Sequence, residues 1–257
     1  MMLRRHVAAL IPTTLGLILF VAHPAIAQDN AVRVLVSNGM KGAMEELQPR
    51  AERAVGRKLL VQYTSTLGVR KRIEAGEVFD ATVITTEAVG TLIEQGKLAG
   101  NSRTELARSE LGIGIKAGAP KPDIRSVGAL KRALREAKSI TYPQDGATRG
   151  DIEKAFEKMG IAADVKSKII LAPSSGAATE SVAAGKATFV ITLFSEIVPI
   201  HGVEILGALP GEYQTDVKFA GAISATTKNA QAGKALLAFL KSPPAAAVFK
   251  AKGLEPR

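Results

Sequence analysis

Val32-Arg33-Val34-Leu35-Val36-Ser37-Asn38-Gly39-Met40-Lys41-Gly42-Ala43-Met44 is the stretch on which the reading of the chain turns. Its first five residues are aliphatic around one arginine, the composition of a short strand. Ser37-Asn38-Gly39 interrupts that run with small polar residues. From Met40 the apolar period changes. Met40, Ala43, Met44, Leu47, Ala51, Ala54 and Val55 recur at helical spacing, and Gly56 stops the helix. A strand, a hydroxyl-bearing turn and a helix make up the first part of a βαβ unit.

The same alternation continues outward. Residues 59–63 read as strand, 69–75 as helix, 81–85 as strand and 86–95 as a helix closed by Gly96. Strands alternating with helices imply a mostly parallel sheet. Near residue 107 the rhythm changes. Leu111-Gly112-Ile113-Gly114-Ile115 reads as a strand of small residues, followed by the Gly118-Ala119-Pro120 loop. Helices over 126–137, 148–159 and 177–184 then alternate with strands over 139–142, 168–171 and 188–193. Strands over 203–206 and 217–223 follow, and helices over 231–240 and 245–252 close the chain. The pattern is α/β in two units. Lobe 1 is expected to hold residues 28–107 plus 215–257, and lobe 2 residues 108–214.

The N-terminus stands outside this pattern. Arg4 and Arg5 precede an almost continuous apolar run over 7–21, and Ala25-Ile26-Ala27 forms an A-x-A site before Gln28. This order reads as a secretory signal peptide over 1–27, cleaved after Ala27, with the mature chain in the periplasm. The apolar run falls short of the ~20 residues that a membrane span needs.

The 257 residues contain 34 Lys+Arg against 24 Asp+Glu, a formal charge of +10. Loss of the segment with Arg4 and Arg5 lowers it to +8 and also removes His6 and His23, leaving His201, which is expected in a loop. The basic residues are spread over helices, as in Lys131-Arg132-Ala133-Leu134-Arg135, and aromatics are 4%. Both points argue against a nucleic-acid partner. With no Cys there is no disulfide framework, thiol nucleophile or iron–sulfur cluster, and one histidine leaves little for a triad or a metal site. No metal and no cofactor is expected.

Four expected strands end in small and hydroxyl residues just before a helix: Ser37-Asn38-Gly39, Thr64-Ser65-Thr66, Gly146-Ala147-Thr148-Arg149-Gly150 and Pro173-Ser174-Ser175-Gly176. Helix N-termini carry free N–H groups and the positive end of the dipole, so such loops suit an anion. Each could equally be an ordinary helix cap. Asp80, Glu87, Asp145, Glu180 and Glu196 lie near loop ends, where surface or capping roles are expected. Gly112-x-Gly114-x-x-Ala117 leads to a loop rather than a helix and is no dinucleotide fingerprint.

Three segments resemble the periplasmic molybdate-binding proteins of ABC importers: Ser37 to Met44, Thr64-Ser65-Thr66 through Arg72-Ile73-Glu74-Ala75-Gly76, and Ser242-Pro243-Pro244-Ala245-Ala246 with Phe249. The resemblance spans essentially the mature chain. It implies the two-lobed type 2 periplasmic binding protein fold, each lobe a mostly parallel sheet flanked by helices, with the ligand cleft between lobes. It also implies a monomer that captures a small anion for the membrane subunits of an importer. The resemblance puts Thr66, with Thr64 and Ser65, on an oxyanion-binding position, and the candidate ligand groups are Ser37, Asn38, Gly39, Thr64, Ser65, Thr66, Thr148, Arg149, Ser174, Ser175 and Thr192.

Two departures leave the anion open. Gly39 stands where the family usually has serine, and Phe189-Val190-Ile191-Thr192-Leu193-Phe194-Ser195 lacks the family's tyrosine. Arg149, Lys41 and Arg70 add charge near the loops, which would suit a carboxylate. Arg149 could also be a solvent-facing residue of a first helical turn. Relatives of the family handle aconitate, so the alternative is an aconitate isomerase on the same fold, moving an allylic proton, with no catalytic residue assigned.

Overall fold

The computed structural model describes residues 31–257, and the signal-peptide segment lies outside the described residues. In chain order the elements are β1 (Val32–Ser37), α1 (Lys41–Val55), β2 (Leu59–Thr64), α2 (Thr66–Glu74), β3 (Ala81–Thr85), α3 (Thr86–Glu94) and β4 (Thr104–Lys116). There follow α4 (Val127–Glu136), β5 (Ile140–Pro143), α5 (Arg149–Lys158), α6 (Ala162–Val165), β6 (Ile169–Ala172), α7 (Ser175–Ala183), β7 (Phe189–Leu193) and α8 (Phe194–Ile197). The chain ends with β8 (Val203–Ala208), β9 (Asp216–Ile223), α9 (Ala230–Leu240), α10 (Pro243–Ala251) and β10 (Glu255–Pro256).

The strand order is β2-β1-β3-β9-β4-β7-β5-β6, with β8 and β10 also paired to β4. β2-β1-β3 is parallel, as is β6-β5-β7, and each is the βαβ arrangement expected from alternation. The pairings of β9 and β4 are antiparallel. Each half of the sheet is therefore parallel in its body and antiparallel where the halves meet.

β4 is the element that joins them. Its first part, Thr104 to Glu110, pairs with β9, and from Leu111 it pairs with β7. Only its second part is legible in the sequence, because Thr104 to Glu110 has just two adjacent apolar residues, Leu106 and Ala107, and shows neither an apolar run nor an alternation. In the second part, a Cβ at Gly112 would lie 2.0 Å from the Phe194 ring, so the strand can pass α8 only without a side chain there.

Each half has its own core. Met40, Met44, Leu47, Phe219, Leu236 and Phe249 pack on one face of the first half, and Leu35, Ile73, Ile84 and Leu92 on the other. In the second half, Leu111, Ile113, Leu134, Ile140, Tyr142 and Phe156 form one cluster, and Ala178, Val182, Val190 and Ile197 another. Apolar residues on both faces of a sheet require helices on both faces.

Asp80 departs from its expected surface role. It is buried, accepts from the Arg33 backbone N–H at 2.8 Å and from the Asn229 amide at 3.2 Å, and is also bonded by the Thr227 hydroxyl. It ties β1 to the segment before α9. Two short helices, α6 and α8, and the strand β10 had no legible periodicity, since two to four residues do not complete a pattern.

Candidate functional site

The strand ends of both halves open on one cavity of about 460 Å³. Its wall is built from the turns after β1, β2, β5, β6 and β7. The geometry follows from the topology, because ligands of open α/β sheets sit beyond the carboxyl ends of strands. The register Ser37↔Thr64 puts the ends of β1 and β2 side by side. As a result the Thr66 hydroxyl donates to Ser37 Oγ at 3.1 Å, both groups being buried.

Ser37, Asn38, Gly39, Thr64, Ser65, Thr66, Thr148, Ser174 and Ser175 all line this cavity. Two of them are also helix caps. Ser65 Oγ accepts from the Gly68 N–H at 3.0 Å, and Ser174 Oγ from the Ala177 N–H at 3.1 Å. A capping hydroxyl accepts through its oxygen and keeps its own O–H free to donate. Capping and ligand contact are thus compatible in one residue. The first residues of α2 and α7, Thr66, Ser175 and Gly176, lie in the same wall, at helix ends where N–H groups lack intrahelical partners.

Gly39 has a specific reason to lack a side chain. A Cβ there would lie 2.4 Å from Phe219 Cζ and 3.3 Å from Leu193 Cδ1, both side chains being buried. The departure from serine at this position is coupled to a phenylalanine on β9, which is also in the cavity wall.

Lys41 lines the cavity, with its ammonium 3.8 Å from Glu45 and 6.0 Å from the centre of the Tyr63 ring. Three residues of the expected set lie elsewhere. Arg149 is outside the wall; its guanidinium donates to Glu153 Oε1 at 2.9 Å and to the Gln144 carbonyl at 3.0 Å. The i,i+4 spacing on α5 draws the arginine along the helix rather than into the cleft. Thr192 is buried behind the wall, with its hydroxyl donating to Glu196. Arg70 pairs with Glu74 at 3.3 Å and lines a second cavity, of about 650 Å³, which adjoins the first at Thr66 and at Asp145 to Ala147.

The structure also brings forward groups not expected in the site. Ser195 is buried in the wall with no partner for its hydroxyl. Tyr63 lines the wall too, and burial together with the charge of Glu45 pushes its phenol upward from its ordinary value. Glu45, Asp145, Glu180 and Glu196 all line the cavity, against Lys41 as the one lysine or arginine of the wall among the described residues. Burial raises the Glu196 carboxyl above its ordinary range, although hydrogen bonds from Thr192, Ser175 and the Leu193 backbone oppose the shift. The one available signal was position: Ser195 and Glu196 follow a strand directly, as the four recognised loops do.

A wall of hydroxyls and helix N-termini can hold an anion by hydrogen bonds alone. Comparison with known proteins fits this geometry. The chain is 29% identical to an aconitate isomerase from a Pseudomonas species, over 96% of this chain and 97% of that protein. It is 25% identical to the molybdate-binding protein ModA of Azotobacter vinelandii, over 88% of this chain and 90% of that one. The solved structure of the Azotobacter vinelandii periplasmic molybdate-binding protein superposes with a TM-score of 0.73 at 20% identity, covering 87% of this chain and 98% of that one. That of the sulfate-binding protein SubI of Mycobacterium tuberculosis superposes at 0.72 and 15% identity, over 88% and 87%. The two-lobed fold is thus the one these binding proteins share, and the family model for bacterial extracellular solute-binding proteins matches residues 32–255. The chain belongs to the bacterial extracellular solute-binding protein family.

Proposed function

We propose that this chain captures a small anion in the periplasm, a molybdate-like oxyanion or a small carboxylate, and delivers it as a monomer to the membrane subunits of an ABC importer. The observation that carries this reading is the ring of hydroxyls on one cavity, from Ser37 and Thr66 of one half and Thr148, Ser174, Ser175 and Ser195 of the other. Ligand groups drawn from both halves favour the closed arrangement, which is how a binding protein couples capture to a change of shape. The lobes divide at β4 and β9 in this reading, with 28–107 plus 215–257 against 108–214. Export follows from the N-terminal segment and cleavage after Ala27. Calorimetric titration with molybdate, tungstate, sulfate and cis- and trans-aconitate tests the reading. Saturable 1:1 binding of one of these is expected, and no heat with any of them overturns it.

A second reading, aconitate isomerase, is favoured by two specific observations. The cavity, of about 460 Å³, is in the size range of organic-ligand sites and has room for a tricarboxylate. The wall also contains a titratable carboxyl, Glu196, of the kind a proton shift needs. In that reaction the carboxylate takes a proton from the methylene carbon of one isomer. The double bond moves, and the same proton returns to the far allylic carbon. Proton NMR of trans-aconitate with the purified protein separates the two readings: conversion to the cis isomer supports the enzyme, and bound but unchanged aconitate supports the carrier.

A further inference from the structure

An acid in the wall of an anion site needs a chemical explanation. Glu196 belongs to α8 and lines the cavity beside Ser175 and Ser195. Ionised, it would repel the charge that the neighbouring hydroxyls are arranged to hold. Among the described residues no lysine or arginine pairs with it. The charged groups around it are Glu180 on α7, Lys41 and Glu45 on α1, and Asp145 after β5, all on the same cavity. Lys252, beyond α10, is occupied by Glu46 at 2.8 Å. β4, β7 and β8 turn glycine and apolar side chains towards α8: Gly112 to Phe194, and Gly114, Val190 and Val203 to Ile197.

The carboxyl is held by the hydroxyls of Thr192 and Ser175. A hydroxyl can donate to a carboxylate or accept from a carboxylic acid, so this pair accommodates either protonation state without moving. The unpartnered Ser195 hydroxyl lies on the same wall.

We propose that Glu196 is the proton-carrying residue of this cleft, donating a hydrogen bond from its carboxylic acid to an anionic oxygen of the bound solute. The proposal rests on the anion-binding reading above. Where Glu196 is ionised in the free protein, binding takes one proton from the buffer onto its carboxylate. The O–H so formed then faces the anion. Burial of the carboxyl already favours this acid form.

Two measurements test it. The first needs no ligand: carbon NMR of protein labelled at the glutamate carboxyls, with E196Q identifying the signal. Glu196 is expected to titrate above the other glutamates, and titration in the ordinary range overturns the proposal. The second is calorimetry with molybdate and with trans-aconitate, from about pH 7 to about pH 9, where an unperturbed glutamate would not titrate. Affinity is expected to fall up to tenfold per pH unit above the Glu196 midpoint, with proton uptake read from buffers of different ionisation enthalpy. The E196Q profile is expected to be flat. Binding with no proton uptake above the Glu196 midpoint, or an E196Q profile that still falls in parallel with wild type, overturns the proposal. Binding of neither anion removes the anion reading, and with it the ligand half of the proposal.

Discussion

Replacing Gly39 by alanine adds one methyl at the point where the wall of the cleft meets the core. The new carbon would lie 2.4 Å from Phe219 Cζ, 3.0 Å from Cε1 and 3.3 Å from Leu193 Cδ1. Carbon pairs rest at about 3.5–4.0 Å, so the ring must retreat by about 1 Å. It has little room to do so, since Phe219 is 1% exposed and packs with Met40, Met44 and Leu236. The Gly39 backbone is not in the left-handed region, so the cost is one of packing rather than of backbone strain. Overpacking of this kind costs about 1–3 kcal/mol. Urea unfolding should show a loss of about 2 kcal/mol in G39A, a midpoint lower by about 1 M for a slope near 2 kcal/mol per M. In F219L, where the ring is gone, adding G39A should cost less than about 0.5 kcal/mol, because the two sites share one contact. G39S should follow the same pattern. Equal costs of G39A in the two backgrounds would refute the steric account, as would no cost in wild type.

R149Q should change the affinity for molybdate or trans-aconitate by less than about twofold, because Arg149 is held by Glu153 outside the wall and such exposed pairs contribute only about 0–1 kcal/mol; calorimetry checks this, and a tenfold loss would place the guanidinium in the closed site. D80A should lower stability by about 1–3 kcal/mol in urea, since it removes a buried carboxylate that accepts from the Arg33 N–H and the Asn229 amide. S195A should weaken anion binding and leave stability nearly unchanged, because its hydroxyl has no partner to lose in the free protein. Glu196 also sets a pH dependence of stability. Its folded-state midpoint is raised, so its acid form favours folding fully below the ordinary glutamate range, and that contribution is lost as pH rises to the folded midpoint. Unfolding of wild type relative to E196Q should therefore become easier over that window, and a difference independent of pH would contradict the raised midpoint.

The architecture was legible because its signals are local. Met40, Met44 and Leu47 recur at helical spacing, and Gly56 stops their helix with a φ of 72°, a conformation that glycine adopts without strain. Ser65 and Ser174 were legible as hydroxyls before helices, and both do cap them. Arg149 illustrates the limit. Its proximity to a loop in sequence said nothing of its rotamer, which Glu153, one turn along, determines. Thr192 fails as a wall residue for a related reason: it sits on a strand, and the alternation of the pleat turns it behind the surface that Leu193 presents.

What the chain determines by itself is the set of elements and the chemistry available at their ends. Periodicity and capping act over a few residues, so the alternation of strands and helices, the helix stops and the hydroxyl-rich turns can be read in one dimension. Which turns meet is a property of strand order. β4 and β9 carry the backbone between two parallel bodies, and only that crossing brings Ser37 and Thr66 onto the same cavity as Thr148, Ser175 and Glu196. The same is true of Gly39, whose missing side chain is explained by Phe219, 180 residues away. Glu196 in the sequence is one acid among 24, and its surroundings alone make it the one whose proton matters.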